Sequence, residues 1–310
     1  MERRLQSRYL MLVRSQMSVS PRTAAGPVLL PATAQAASLA QAAWRFYNNP
    51  RVGLPELVVP LRRAGVEACH ASSAPVVLLV HDWSKIDYCP HTSKADRRQL
   101  THQHDIGYDL TTSLLMDAHD GTPIAPVELH LKTADAVHST SPVPPPVDQA
   151  HVYQIEAVME RSATWGLSRP VVHVIDREAD SLGHFRRWQA AGHLFLVRCD
   201  DRRVLWNGEP AMISEICVKL LENGAFSEQS RVTHKGVAAR QQVAQTEVVL
   251  HRPHKTRVGG VQKDHSGPPL RLRLVVSRIL DEAGGELARW TLLTNAPESD
   301  LAPYNGTGIW

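Results

Sequence analysis

The sequence predicts an α/β protein on a mixed sheet, with a small helical module ahead of it and a β-rich segment behind. Two observations carry that expectation. The first is a pair of short, β-branched, largely apolar runs that each break off at an aspartate: Val76–Val80 leads into His81-Asp82, and Val171–Ile175 into Asp176. Such runs read as strands buried on both faces. The second is the order of elements around them, in which a strand and a hairpin precede two strand-and-helix units. In open α/β sheets, chemistry gathers at the carboxyl ends of strands.

Residues 1 to about 30 show no clear periodicity and carry Pro21 and Pro27, with Pro31 just beyond. From about Ala32 to Tyr47, an Ala- and Gln-rich stretch favours a helix, closed by Asn48-Asn49-Pro50. A second helical segment is expected between Leu54 and Ala68, kinked or restarted at Pro60. The first strand is expected over 74–82, followed by a polar loop holding His91, Lys94, Arg97, Arg98, His102 and His104. Gly107 to Asp117 and Pro123 to Lys132 read as a hairpin turning at Asp120-Gly121. After the prolines at 142–146, Asp148 is placed to cap a helix reaching about Gly166, with Val152, Ile155, Met159 and Ser162 on one face. The strand 171–175, a helix over 181–191 and the strand 193–198 complete the order β-β-β-α-β-α-β. Three antiparallel strands and then two crossover units make the ribonuclease-H-like arrangement of the retroviral-integrase superfamily. Beyond Cys199, strand-like pieces at 243–251, 271–280 and 286–293 form a mainly β insertion. The expected division is a helical module over 1–70, the first part of the core over 71–199, the β-rich insertion over 200–296 and an aberrant tail over 297–310.

With 43% hydrophobic and 21% charged residues the chain is globular, and a net charge of +3 does not by itself argue for nucleic acid. The charge is uneven: before Glu56 the sole acid is Glu2, against Arg3, Arg4, Arg8, Arg14, Arg22, Arg45 and Arg51. A basic leading segment either contacts phosphates or is a solvated tail. Cys69, Cys89, Cys199 and Cys217 lack C-x-x-C spacing and read as reduced cytosolic thiols, not a zinc finger or disulfide frame. The N-terminus shows no compact apolar core before a cleavage site, so no secretory signal is expected, though its Arg/Ser-rich composition faintly resembles a transit peptide. No run approaches the roughly 18 apolar residues of a membrane span, so a soluble protein is expected.

Two carboxylates at adjacent strand ends repel each other unless a cation lies between them. Oxygen ligands favour Mg²⁺ or Mn²⁺. A pair of such ions activates a water or a DNA 3′-hydroxyl and stabilises the leaving oxygen of a phosphodiester. Asp82 and Asp176 are therefore the candidate catalytic and metal-ligating pair, the other reading of each being a cap or turn residue. Glu178 and Asp180 either cap the next helix or join the metal site. His91, His102 and His104 form either a solvated loop or, less well supported by spacing, a zinc site.

Val174-Ile175-Asp176-Arg177-Glu178-Ala179-Asp180 closely resembles the Asp-Arg-Glu-Ala-Asp signature of DDE cut-and-paste transposases of the insertion-sequence-four family, the group typified by the transposon-five transposase. Further segments resemble that family in the same order. Ala43-Trp44-Arg45-Phe46-Tyr47-Asn48-Asn49-Pro50-Arg51-Val52 is similar to part of its DNA-binding module, and His81-Asp82-Trp83-Ser84 to its first catalytic aspartate. Phe195-Leu196-Val197-Arg198 and Arg289-Trp290-Thr291-Leu292-Leu293-Thr294 are similar to two of its strands, so the resemblance spans roughly 40–301. It implies Asp82 and Asp176 as ligands of Mg²⁺ or Mn²⁺, and Arg177 and Arg198 against DNA phosphates or a hairpin end. It implies Trp290 as the ring on which a flipped base stacks. For Arg177 a pairing with Glu178 or Asp180 stays open, and for Trp290 a place in the core.

The resemblance further implies double-stranded DNA at transposon ends as partner, a nucleoid-associated place in a bacterial cytoplasm, and no membrane. The family's third ligand is a glutamate in a Tyr…Arg-Trp…Glu helix beyond the last of these strands. Here the sequence runs instead to Pro303-Tyr304-Asn305-Gly306-Thr307-Gly308-Ile309-Trp310, which cannot continue a helix. The expectation is an inactive copy truncated before that glutamate. Its alternatives are a DNA-binding remnant that occupies the ends or dimerises with a full-length transposase, and a general metal-dependent nuclease that would need Glu178 or Asp180 as substitute ligand.

Overall fold

The computed structural model describes residues 2–19, 36–258 and 261–297, so the tail beyond Pro297 and the stretch 20–35 lie outside the described residues. Three helices lead: α1 (Arg3–Val19), α2 (Ala36–Tyr47) and α3 (Leu54–Ala71). The first lies where the sequence shows no clear periodicity, inside the stretch expected to be a helical module. Tyr9 anchors it by stacking on Phe46 of α2 at 6.1 Å between ring centroids. The third runs unbroken through Pro60, which the sequence placed as a kink or restart, and starts with Pro55 in its first turn, where no N–H is needed. Among the described residues no helix is long and apolar enough to cross a membrane.

The core strands are β1 (Val77–Asp87), β2 (Arg98–Gln99), β3 (Ile106–Asp117), β4 (Pro123–Lys132) and β5 (Val137–Ser139). Helix α4 (His151–Ser162) leads to β6 (Val171–Ile175), and α5 (Leu182–Ala190) to β7 (Leu194–Arg198). Ala150, not Asp148, occupies the N-cap of α4. Then come β8 (Arg203–Trp206), β9 (Glu209–Met212), α6 (Ile213–Glu222), β10 (Ser227–His234), β11 (Val237–Leu250), β12 (His254–Val258), β13 (Val261–His265), β14 (Leu270–Leu280) and β15 (Glu286–Thr294). The sequence reading passed over β8–β10 and α6, which are short and broken by turns at Asn207-Gly208 and Asn223-Gly224.

All strands except the β12–β13 hairpin join one mixed sheet in the order β5-β4-β3-β1-β6-β7-β15-β14-β11-β8-β9. β1 pairs antiparallel with β3 and parallel with β6, and β6 pairs parallel with β7. β15 lies antiparallel on β7, so the β-rich segment continues the core sheet edge to edge. The seam is narrow, three register pairs from Leu292↔Arg198 to Thr294↔Leu196. Side chains reinforce it: Asn295 Oδ1 accepts from Phe195 N–H at 2.9 Å, and its Nδ2 donates to His193 O at 2.9 Å.

The two faces of the central sheet differ. On one, Val77, Leu79 and Leu115 pack with Cys69 of α3 and Val158 of α4, and Phe195 and Val197 pack with Phe185 and Trp188 of α5. Phe185 stacks on Phe195 at 5.0 Å. On the other face the cluster of Leu78, Val172, Val174, Leu196 and Leu292 draws its described members from strands and adjoining loops. The candidate site lies at the end of that second face.

Candidate active site: a polar row across four strands

Register, not sequence proximity, builds the site. The β1–β6 pairing ends at His81↔Ile175 and the β6–β7 pairing at Ile175↔Val197. One residue further on each strand stand Asp82, Asp176 and Arg198, so these three form the next row across β1, β6 and β7, with neighbouring strands about 4.8 Å apart. Arg198 pairs with Leu292 on β15, and Trp290, two residues along, shares the face of Leu292. Alternation puts Val80 with Asp82, Val174 with Asp176 and Leu196 with Arg198 on that same face. Asp82, Asp176, Arg198 and Trp290 accordingly line one cleft of about 310 Å³, floored by Val80, Val174 and Leu292.

One expectation is corrected here. β1 does not end on Asp82 but continues to Asp87, because β3 pairs with it as far as Asp87↔Gly107. What ends at Asp82 is the parallel side: β6 turns away at Asp176, freeing that edge of β1 and exposing both carboxylates. Asp176 caps the 3-10 turn Arg177–Ala179, its Oδ1 accepting from Glu178 N–H at 3.2 Å. Ser84 Oγ donates to Asp82 Oδ2 at 2.9 Å. Each carboxylate is thus oriented through one oxygen and keeps the other without a partner among the described residues. That donor set suits a hard divalent cation, since Mg²⁺ is commonly held by one or two carboxylates, with water and substrate phosphate filling its other positions. No group of three or more His, Cys, Asp or Glu able to hold a metal occurs among the described residues.

The remaining candidates lie elsewhere. Arg177 points away from the cleft and pairs with Asp200 at 3.2 Å, not with Glu178 or Asp180. Glu178 stands 3.9 Å from His151 Nδ1. Asp180 is buried in an ion pair with Arg202 at 2.5 Å and accepts Asp200 N–H at 2.7 Å; burial raises its pKa. Neither acid lines the cleft. His91, His102 and His104 are exposed on their loop. Trp290 is half-buried, with its ring 6.0 Å from that of His234.

Behind the cleft, on the helix-covered face, lies a feature that the sequence reading missed. His81 and His173, 2% and 1% exposed, share a hydrogen bond of 3.0 Å between Nε2 and Nδ1, and His81 Nδ1 meets Ser113 Oγ at 2.9 Å. Burial pushes the pKa of His81 down to about 3 and that of His173 well below its ordinary value. The pair buttresses β1 against β6 immediately before the two aspartates. Its signal was present in the sequence: each histidine interrupts a β-branched run at an inward position, one or three residues before the acid.

No protein-family model and no curated protein matches this chain. Among solved structures, it is similar to a piggyBac transposase synaptic complex with hairpin DNA, determined by electron cryomicroscopy, at a TM-score of 0.32 and 9% sequence identity. That likeness covers 97% of this chain and 55% of the other, so this chain spans little more than half its length. A likeness this weak transfers no residue's role.

Proposed function

We propose that this chain is a transposase-type protein with a ribonuclease-H-like core, acting on DNA through a divalent-cation centre whose described ligands are Asp82 and Asp176. The observation that carries this reading is the row of Asp82, Asp176 and Arg198 on three neighbouring strands. The strand order β4-β3-β1-β6-β7 and the resemblance around Asp176 support it. Bound Mg²⁺ or Mn²⁺ would polarise a phosphodiester and activate the attacking hydroxyl. The chain's own residues do the rest. The two carboxylates hold the cation, Ser84 and the Glu178 N–H fix their orientation, Arg198 offsets phosphate charge, and Trp290 gives an unstacked base a flat surface.

A second reading, a DNA-binding protein that does not cut, is favoured by the lack of a third acidic ligand among the described residues. One experiment separates the two. Mn²⁺ uptake, duplex binding and cleavage at the element's own ends are measured for the wild type and for Asp82→Asn. Uptake and cleavage that both vanish in Asp82→Asn support the enzyme. Uptake and DNA binding without cleavage support the second reading. A wild-type chain that takes up no Mn²⁺ and binds no DNA overturns both.

A further inference from the structure

Trp290 stands where the sheet loses a neighbour. The last register pair between β15 and β7 is Leu292↔Arg198, so no strand flanks Trp290 on that side, while Ser277 of β14 lies opposite it on the other. An indole with one bare flank is free to tilt, yet this one lines the cleft. What stands against it comes from elsewhere in the chain. His234, at the end of β10, brings its ring to 6.0 Å from the indole at an interplanar angle of 66°. That is an edge-to-face pair, within the roughly 4.5–7 Å over which such pairs attract.

β10 reaches β15 only through β11 and β14, three strand spacings or about 14 Å along the sheet. A ring contact across that span requires the sheet to coil and return the β10–β11 tip towards the cleft. The tip is built to hold its shape. His234 pairs with Val237 around a two-residue turn, Lys235-Gly236, in which both residues have positive φ, 49° and 82°. Such turns match the twist of the strands they join. Val232 and His234 are half-buried whereas Arg231 and Thr233 are exposed, so His234 belongs to the inward side of β10. A buried relay ties the hairpin to the strand beside Trp290: Ser230 Oγ donates to Gln241 Oε1 at 3.1 Å, and Gln241 Nε2 to Ser277 Oγ at 2.9 Å. Ser277 is the residue opposite Trp290. His234 itself does not line the cleft, so it acts there through the indole.

We propose that His234 is a positioning residue: it fixes the tilt of the Trp290 ring, so that an unpaired base meets a flat surface already in place. The β10–β11 hairpin is thereby part of the site. The proposal rests on the reading of the cleft as a DNA site with Trp290 as its base platform. The test uses a duplex ending in one unpaired 2-aminopurine, whose emission falls when the base stacks on a ring. Wild type, His234→Ala, His234→Phe, Trp290→Ala and the double variant Trp290→Ala/His234→Ala are titrated with it, with melting temperature and Mn²⁺ uptake measured in parallel. The wild type quenches the probe and Trp290→Ala does not. His234→Ala loses most of the quenching, and its DNA affinity falls about three- to tenfold, the range that one ring pair supports. His234→Phe, which keeps a ring should alanine loosen the hairpin, recovers both, and Mn²⁺ uptake persists throughout. In the Trp290→Ala background, removing His234 costs nothing further, because the two act as a unit. Wild-type quenching and affinity in His234→Ala overturn the proposal. So does a loss that His234→Phe fails to restore, or one that persists in the Trp290→Ala background, since His234 would then touch DNA itself. DNA binding and Mn²⁺ uptake without any quenching by the wild type remove the base platform, and this proposal with it, while the carboxylate site stands. A wild-type chain that binds no DNA and takes up no Mn²⁺ overturns the earlier reading as well.

Discussion

His81 and His173 tie stability to pH through their burial. Both are buried and neutral, with pKa values depressed by burial below the ordinary 6.5, His81 to about 3. Unfolding releases them to bind protons, so their contribution is complete above the unfolded value and is lost as pH falls below it. The loss amounts to about 1.4 kcal/mol per pH unit for each histidine. Carboxylates with depressed values, such as Glu156 at about 2, add a similar loss only below about 4.5. The window from pH 6.5 down to 5 therefore isolates the histidines, and the melting temperature should fall steadily across it. A flat melting temperature there would show that the pair is solvated or already charged. At this scale the sequence disclosed the acids and concealed the histidines. Asp82 and Asp176 follow apolar runs and stand out, whereas a histidine inside a strand acquires meaning only once a second strand brings its partner alongside.

Helix α3 keeps Pro60 in its interior, where the ring removes the N–H that would bond Glu56 O and crowds that carbonyl. The sequence reading broke the helix there, because proline alone argues for a break. Packing overrides it: Val58 and Cys69, one on each side of the proline, are both buried. Pro60→Ala restores the bond, offset in part by the greater freedom of the unfolded chain, and should stabilise the protein by about 1–2 kcal/mol in denaturant melts. A destabilised variant would mean that the packing of the proline ring outweighs the bond it removes. Element boundaries were legible where turns or prolines bracket a short apolar run, as in β4 and β6, which begin and end as the sequence implied. They were least legible where a strand has different neighbours on its two edges. β1 looked finished at Asp82 because its apolar run is finished, yet β3 carries it five residues further.

The molecule's two halves are one sheet, joined at the β7–β15 seam. Asn295→Ala would leave Phe195 N–H and His193 O unmatched there, costing about 2–4 kcal/mol. Hydrogen exchange should report the loss in β7 and β15 before β11 or β14. Heating the wild type should give one cooperative transition. Two separated transitions would mean that the β-rich segment melts independently and that the seam transmits little. This continuity was invisible in the sequence, where a change of character after Cys199 suggested an insertion set apart. Edge pairing between distant strands leaves no local pattern.

The polar row also has a history in time. Its members come from β1, β6 and β7 and the Trp290 beside them from β15, so the chain emerging from the ribosome supplies them in that order. β1 and β6 can pair once the first crossover is made, placing the carboxylates side by side, while Trp290 is still untranslated. At the usual 5–20 residues per second, the interval between Asp176 and Trp290 lasts on the order of ten seconds. Throughout it, a nascent chain would display an acidic floor without an aromatic wall.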